Sequence, residues 1–218
     1  MKIKKFQINF LILFLGITVV SYLTREILNL SNLIYNSLSD KLSVNQINEY
    51  FELQDKLQWV SYVFIPVVLL IKTTIIAYIL YIGAFFYSKI KVTFKQLFND
   101  VVKAEFIFLL VGVCKIIWFY FFQTNYTLED LQYFYPLSAL NIVGYQGLEP
   151  WFIYPLQVLN LFELAYWFVL AYFIGKLAFT EKDKGKPMDL GLKIVASSYG
   201  SALLLWVVVV MFFTLNYS

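Results

Sequence analysis

The chain has 218 residues, of which 61% are hydrophobic, 20% aromatic and only 14% charged, against about a quarter charged in an ordinary soluble domain. Its net charge of +3 is too small for a nucleic-acid surface. It has no histidine, which removes Ser-His and Cys-His nucleophile pairs, His-ligated zinc and His-held haem.

This balance predicts an all-α fold: one membrane domain over residues 1–218, a polytopic helix bundle with five transmembrane helices and short interfacial amphipathic helices. The single cysteine, Cys114, allows no intrachain disulfide and reads as a small buried hydrophobe. No cofactor is expected.

The first span is predicted near 6–23. Lys2, Lys4 and Lys5 precede it and Val19–Ser21 imitates a cleavage site, but the apolar run is longer than a signal core, so a retained anchor is expected. An outer amphipathic segment follows over 27–58. Leu30, Leu33, Ile34 and Leu38 fall at helical spacing, as do Ile47, Tyr50, Phe51 and Leu57. Between them Ser43 and Gln46 have the spacing of a capping box, so two short amphipathic helices are expected.

The second span, near 59–88, contains Pro66, which predicts a kink six residues before Lys72. Phe94, Leu97, Phe98, Val101 and Val102 then make an i, i+3, i+4, i+7, i+8 stripe flanked by Lys91, Lys95 and Lys103. That is a basic amphipathic helix suited to a membrane interface. Asp100 and Glu105 bracket the start of the third span, near 104–122, and are read as serving the helix surface. Lys115 lies inside that span.

The outer loop 123–151 is rich in aromatics, among them Tyr126, Tyr133, Phe134, Tyr135, Tyr145 and Trp151. An interfacial belt is the first explanation and a docking surface the second. Thr127 to Asp130 repeats the capping spacing, and Pro136 stops the short helix behind it. The fourth span, near 152–179, carries Gln157, Asn160 and Glu163 as a polar stripe. A charged turn over 181–187 leads to the fifth span, near 194–215. There Ala196/Gly200 and Ser197/Ser201 form overlapping small-residue pairs for helix packing.

Basic residues fix an expected orientation. Twelve lysines fall on the N-terminal tail and on the second and fourth connections; the opposite side has only Arg25, Lys41 and Lys56. A cytoplasmic N-terminus and a periplasmic C-terminus follow. All but one of the seventeen basic residues are lysine and Asn and Ile are common, which suggests an AT-rich bacterial source and its inner membrane.

Lys72, Lys115 and Glu163 are the candidate site. An ionised group at bilayer depth costs roughly 2.5–3.5 kcal/mol, so such residues pair or face water. Helical rise from the predicted span ends puts all three in the middle third of the bilayer, with Glu163 pairing to either lysine. An interhelical lock is the first reading; a proton or ion relay, an anionic-substrate site formed by the lysines, and a contact to another membrane subunit are the others. No two carboxylates share a predicted span and no glycine-rich phosphate loop is present, so catalysis and metal binding are not expected.

Four stretches, Thr93–Phe98, Pro136–Asn141, Leu159–Leu164 and the lysine-rich turn before the last span, carry a resemblance. Over about the last two-thirds of its length the chain resembles the Yip1 family of five-span membrane proteins. The resemblance implies a non-enzymatic bundle that works through protein partners, as the eukaryotic members do in vesicle trafficking. It implies no site residue. The expected function is an accessory or scaffold subunit of an envelope complex for secretion, insertion or trafficking. Its partners are the lipid bilayer and other integral membrane proteins. The alternative is a small ion-coupled transporter or channel.

Overall fold

The structure is a computed structural model that describes residues 2–87, 92–179 and 185–217, without the side chains of residues 2–6 and 61. Lys89, Lys91 and residues 181–184 of the charged turn lie outside the described residues, as do the side chains of Lys2, Lys4 and Lys5. All described secondary structure is helical apart from one isolated β-bridge between Ser138 and Asn160. Among the described residues, four helical stretches are long and apolar enough to cross a membrane: Gln7–Ile27, Tyr62–Tyr87, Leu161–Ala178 and Pro187–Tyr217.

Helix α1 (Lys2–Ile27) ends at Asn29, whose left-handed backbone (φ 46°) suits a short polar side chain. Helix α2 (Leu30–Ser39) follows, as its apolar spacing predicts. The second outer helix is not a separate element. Helix α3 runs unbroken from Val44 to Tyr87, 44 residues or about 66 Å. Between Leu57 and the span there is no glycine, proline or turn residue to stop it, so the amphipathic start and the apolar span share one helix. Gln46 Oε1 accepts from both the Ser43 amide and its hydroxyl at its start.

Helix α4 (Phe94–Ala104) is the amphipathic helix, capped through Thr93 and Gln96. It joins α5 (Ile107–Phe121) across Glu105 and Phe106, which keep right-handed helical backbone. Helix α5 itself has only 15 residues, shorter than the third span predicted. Helix α6 (Leu128–Tyr133) has the expected box: Thr127 Oγ1 accepts from the Asp130 amide and Asp130 Oδ2 accepts from the Thr127 amide. Helix α7 (Ala139–Val143) completes the loop.

The fourth predicted span is broken, which corrects the polar stripe read along it. Helix α8 (Pro150–Val158) stops, Leu159 and Asn160 leave helical geometry, and α9 (Leu161–Ala178) starts afresh. The last stretch begins at Pro187 rather than 194. Helix α10 (Pro187–Val195), a π-helical turn at Ala196–Gly200 and α11 (Ser201–Tyr217) run end to end. Ser197 Oγ donates to the Lys193 carbonyl at 2.7 Å and Ser198 Oγ to that of Ile194, competing for the regular ladder.

The main core gathers α3, α4, α9 and α10 around Leu80, Leu97, Val101, Tyr166, Leu170 and Ile194. Close approach of α9 and α10 depends on Gly175, which faces the Pro187 carbonyl, and Gly191, which faces that of Ala171. Helix α1 runs parallel to α5, with Gly16 against Leu109 and Gly112 against Val20. Leu13 is the only fully buried residue in the apolar stretch of α1, and α11 has none. Their apolar faces need lipid or another protein to cover them.

Candidate functional site

Lys72, Glu105 and Glu163 meet where α3, the α4–α5 joint, α9 and the π turn converge. Glu105 is 4% exposed. Its Oε2 accepts from Lys72 Nζ at 2.7 Å and its Oε1 from the Tyr166 hydroxyl at 2.9 Å. The Lys72 ammonium also sits 4.4 Å from the centre of the Phe108 ring, a cation–π contact. Tyr166 is fully buried and meets the Tyr199 ring edge to face at 5.5 Å. Tyr199 in turn donates to Glu163 Oε1 at 2.7 Å, and Trp167 Nε1 donates to the same oxygen at 3.0 Å.

Two carboxylates are therefore each held by a tyrosine, and the tyrosines touch. Only Glu105 has a lysine. Glu163 is held by neutral donors, and no lysine or arginine pairs with it among the described residues. The contact between the Tyr166 and Tyr199 rings joins the two halves into one network.

Asn160 explains how α9 starts at this place. Its Oδ1 accepts from the Glu163 amide at 2.7 Å, capping the helix. Its Nδ2 donates to the carbonyls of Gln157 and Val158 at 2.8 and 3.0 Å, closing the end of α8. One side chain thus serves both sides of the break. The Gln157 side chain points elsewhere, donating to the Tyr133 carbonyl at 3.0 Å.

The predicted cluster is brought together only in part. Lys72, Glu163 and Asn160 belong to the network, but Lys72 pairs with Glu105 and not with Glu163. Lys115 stands apart, half-buried on α5 with no ion pair among the described residues. It lies ten residues beyond Glu105, about 15 Å along the axis, and no hydrogen bond or ion pair joins it to the network among the described residues. Of the small residues, Gly200 packs against the Trp167 ring, whereas Ala196, Ser197 and Ser201 are exposed.

Glu105 and Asp100 correct the sequence reading. Both are buried, at 4% and 7% exposure, not on the helix surface. Asp100 pairs with Lys103 at 2.6 Å. The signal was present: the stripe at 94, 97, 98, 101 and 102 continues at i+3 and i+4 onto 105. Tyr166, Trp167 and Tyr199 were also missed. Only their placement beside Glu163, three and four residues on for the first two, hinted at a role.

Lys72 is 46% exposed and opens onto a groove of about 510 Å³ between α1, α3 and α5, walled by Ile17, Phe64, Val68 and Leu109. No group of three or more metal-binding side chains converges among the described residues. Comparison with protein-family models, curated proteins and solved structures finds no match for the chain.

Proposed function

We propose that the chain is a non-enzymatic membrane protein with five spans, acting as an accessory or scaffold subunit of a larger envelope assembly for secretion, protein insertion or trafficking. Its setting in this reading is a bacterial inner membrane, with the N-terminus cytoplasmic and the C-terminus periplasmic. The resemblance to the Yip1 family belongs to the same proposal.

The observation that carries it is the closure of the network. Lys72, Glu105, Tyr166, Tyr199, Glu163 and Trp167 use one another as partners and tie four segments together. Such a network fixes helix register more than it adds stability. The open apolar faces of α1 and α11 leave area for neighbouring helices. Helical backbone from Glu105 through Phe122, 18 residues or about 27 Å, supports α5 as the fifth span. Lys95, Lys103, Lys176, Lys186 and Lys193 belong to or border α4, the end of α9 and α10, which supports a basic cytoplasmic face.

Purification in several mild detergents tests the reading. A stoichiometric integral membrane partner is expected to stay bound; a chain that elutes alone under every condition overturns it.

A small ion-coupled transporter or channel is the second reading. Glu163 favours it: a carboxylate held by neutral donors beside a π turn, an irregularity frequent at functional sites. In proteoliposomes, Glu163→Gln abolishes flux at normal protein level if this reading holds. Loss of folded protein in that variant supports the lock instead.

A further inference from the structure

The segment between α6 and α8 goes into the bundle and comes back. At Phe134 it is level with the far end of α5, where Phe119 and Trp118 pack on the Phe134 ring. At Ser138 it reaches the break in the fourth span. The Ala139 amide donates to the Leu159 carbonyl at 2.8 Å and the Leu161 amide to the Leu137 carbonyl at 3.2 Å. By Tyr145 it has returned, with the ring on Tyr133 and the hydroxyl donating to Asp130 Oδ1 at 2.9 Å.

Helical rise gives the depth of this excursion. Phe108 and Tyr166 are in contact, and α5 runs antiparallel to α9 from there. Phe119 is eleven residues past Phe108, about 16 Å; Asn160 is six residues past Tyr166, about 9 Å. The bridge at Ser138 thus lies roughly 7 Å below the level of Phe119.

Backbone chemistry demands something at this depth. A broken helix inside hydrocarbon leaves amides and carbonyls that lipid cannot satisfy. The carbonyl of Leu159 and the amide of Leu161 are such groups, and residues 137 and 139 satisfy them. Three apolar side chains of the same segment are open, with Asn141 exposed beside them. Ile142 is 88% exposed, Val143 59% and Leu137 58%; Leu137 is hydrogen-bonded to Leu161, which is exposed like Leu159 and Leu164.

We propose that residues 134–145 form a re-entrant hairpin that seals the broken helix with its backbone and presents Ile142 and Val143 to lipid acyl chains. The occupant follows from the backbone pairing: Leu137 is hydrogen-bonded to Leu161 at the start of α9, whose exposed side is the face that must meet hydrocarbon in a spanning helix. Water is a poor occupant for an apolar side chain exposed to this degree beside such a face. The inference rests on the membrane-spanning reading and goes beyond it by assigning the segment that carries the short helix α7 to the bilayer interior.

Nitroxide accessibility in the full-length chain, reconstituted in vesicles, tests it. In a Cys114→Ala background, single cysteines replace Ile142, Val143, Asn125 as the water-side control and Val208 as the lipid-side control. Ile142→Cys and Val143→Cys are expected to match Val208→Cys, with high collision rates for oxygen and low rates for a water-soluble nickel chelate. A profile like that of Asn125→Cys overturns the inference while leaving the spans intact. Low collision rates with both reagents mean a protein neighbour covers the tip, which also overturns it. If Val208→Cys itself meets the chelate, the spanning reading falls and the hairpin with it. Both test residues are exposed, so their replacement leaves the core packing untouched.

Discussion

Lys72 and Glu105 are 33 residues apart in the chain and 2.7 Å apart in the fold. Lys72→Met leaves Glu105 buried with only the Tyr166 hydroxyl. Breaking a fully buried pair costs about 3–5 kcal/mol, and the half-exposed lysine lowers this to about 2 kcal/mol. A lower melting temperature in detergent is expected, partly recovered by adding Glu105→Gln. Charge exchange gives the sharper check: Lys72→Glu with Glu105→Lys restores stability, and Lys72→Glu with Glu163→Lys does not.

Asn160 bonds across the helix break in both directions, so Asn160→Ala removes a cap and exposes two carbonyls. A loss of about 2 kcal/mol is expected, at the upper end for a cap alone. Asn160→Asp keeps the acceptor for the Glu163 amide but loses the donors to Gln157 and Val158. Its melting temperature is expected to fall between those of the parent and the alanine variant.

Gly191 lies against the Ala171 carbonyl, and any Cβ there collides with backbone. Gly191→Val forces α9 and α10 apart, and about 1–3 kcal/mol is lost through overpacking. The displacement carries Tyr199 away from Glu163. Tryptophan fluorescence of the Trp167 region is expected to change together with the melting curve, since Trp167 donates to the same carboxylate. A variant with normal melting and emission overturns the close-packing account.

Asp130 links the neck of the outer loop to pH. Burial acts to raise its pKa, but hydrogen bonds from the Thr127 amide, the Thr127 hydroxyl and the Tyr145 phenol outweigh it and hold the carboxyl below its ordinary range. Its contribution is therefore fully present above the unfolded pKa, about 3.9, and is lost as pH falls through the lower folded value. Proteolysis within 127–146 is expected to accelerate only in that acid window. Asp130→Asn flattens the dependence, because the side chain no longer titrates.

The hydropathy runs made the helical class and most of the spanning segments legible, because a run of about twenty apolar residues has few other folds available. Capping spacing located the starts of α3 and α6 to the residue. The break at Asn160 was not legible. Its neighbours are apolar, and the interruption depends on carbonyls and amides that residues 137 and 139 complete from elsewhere in the chain. The partner of Lys72 was missed for a related reason. Counting from span ends assumed straight helices, which put Glu163 at the middle of a long rod, whereas it is the third residue of a new one. Glu105 was recoverable, since it continues a stripe already recognised. The tyrosines were not, because a buried phenol and an interfacial one look alike in sequence.

The five residues from Ala196 to Gly200 wind more loosely than those on either side. Each residue of an α-helix advances by roughly 100°, so a lodged extra residue swings everything after it by about that angle. The polar side of α10, with Asp189 and Lys193, has no continuation along α11, which is apolar from Ala202 to Phe213. A chain one residue shorter in this interval would regain regular winding, and the phenol now resting on Glu163 would face another direction, although none of the network's own residues had been replaced.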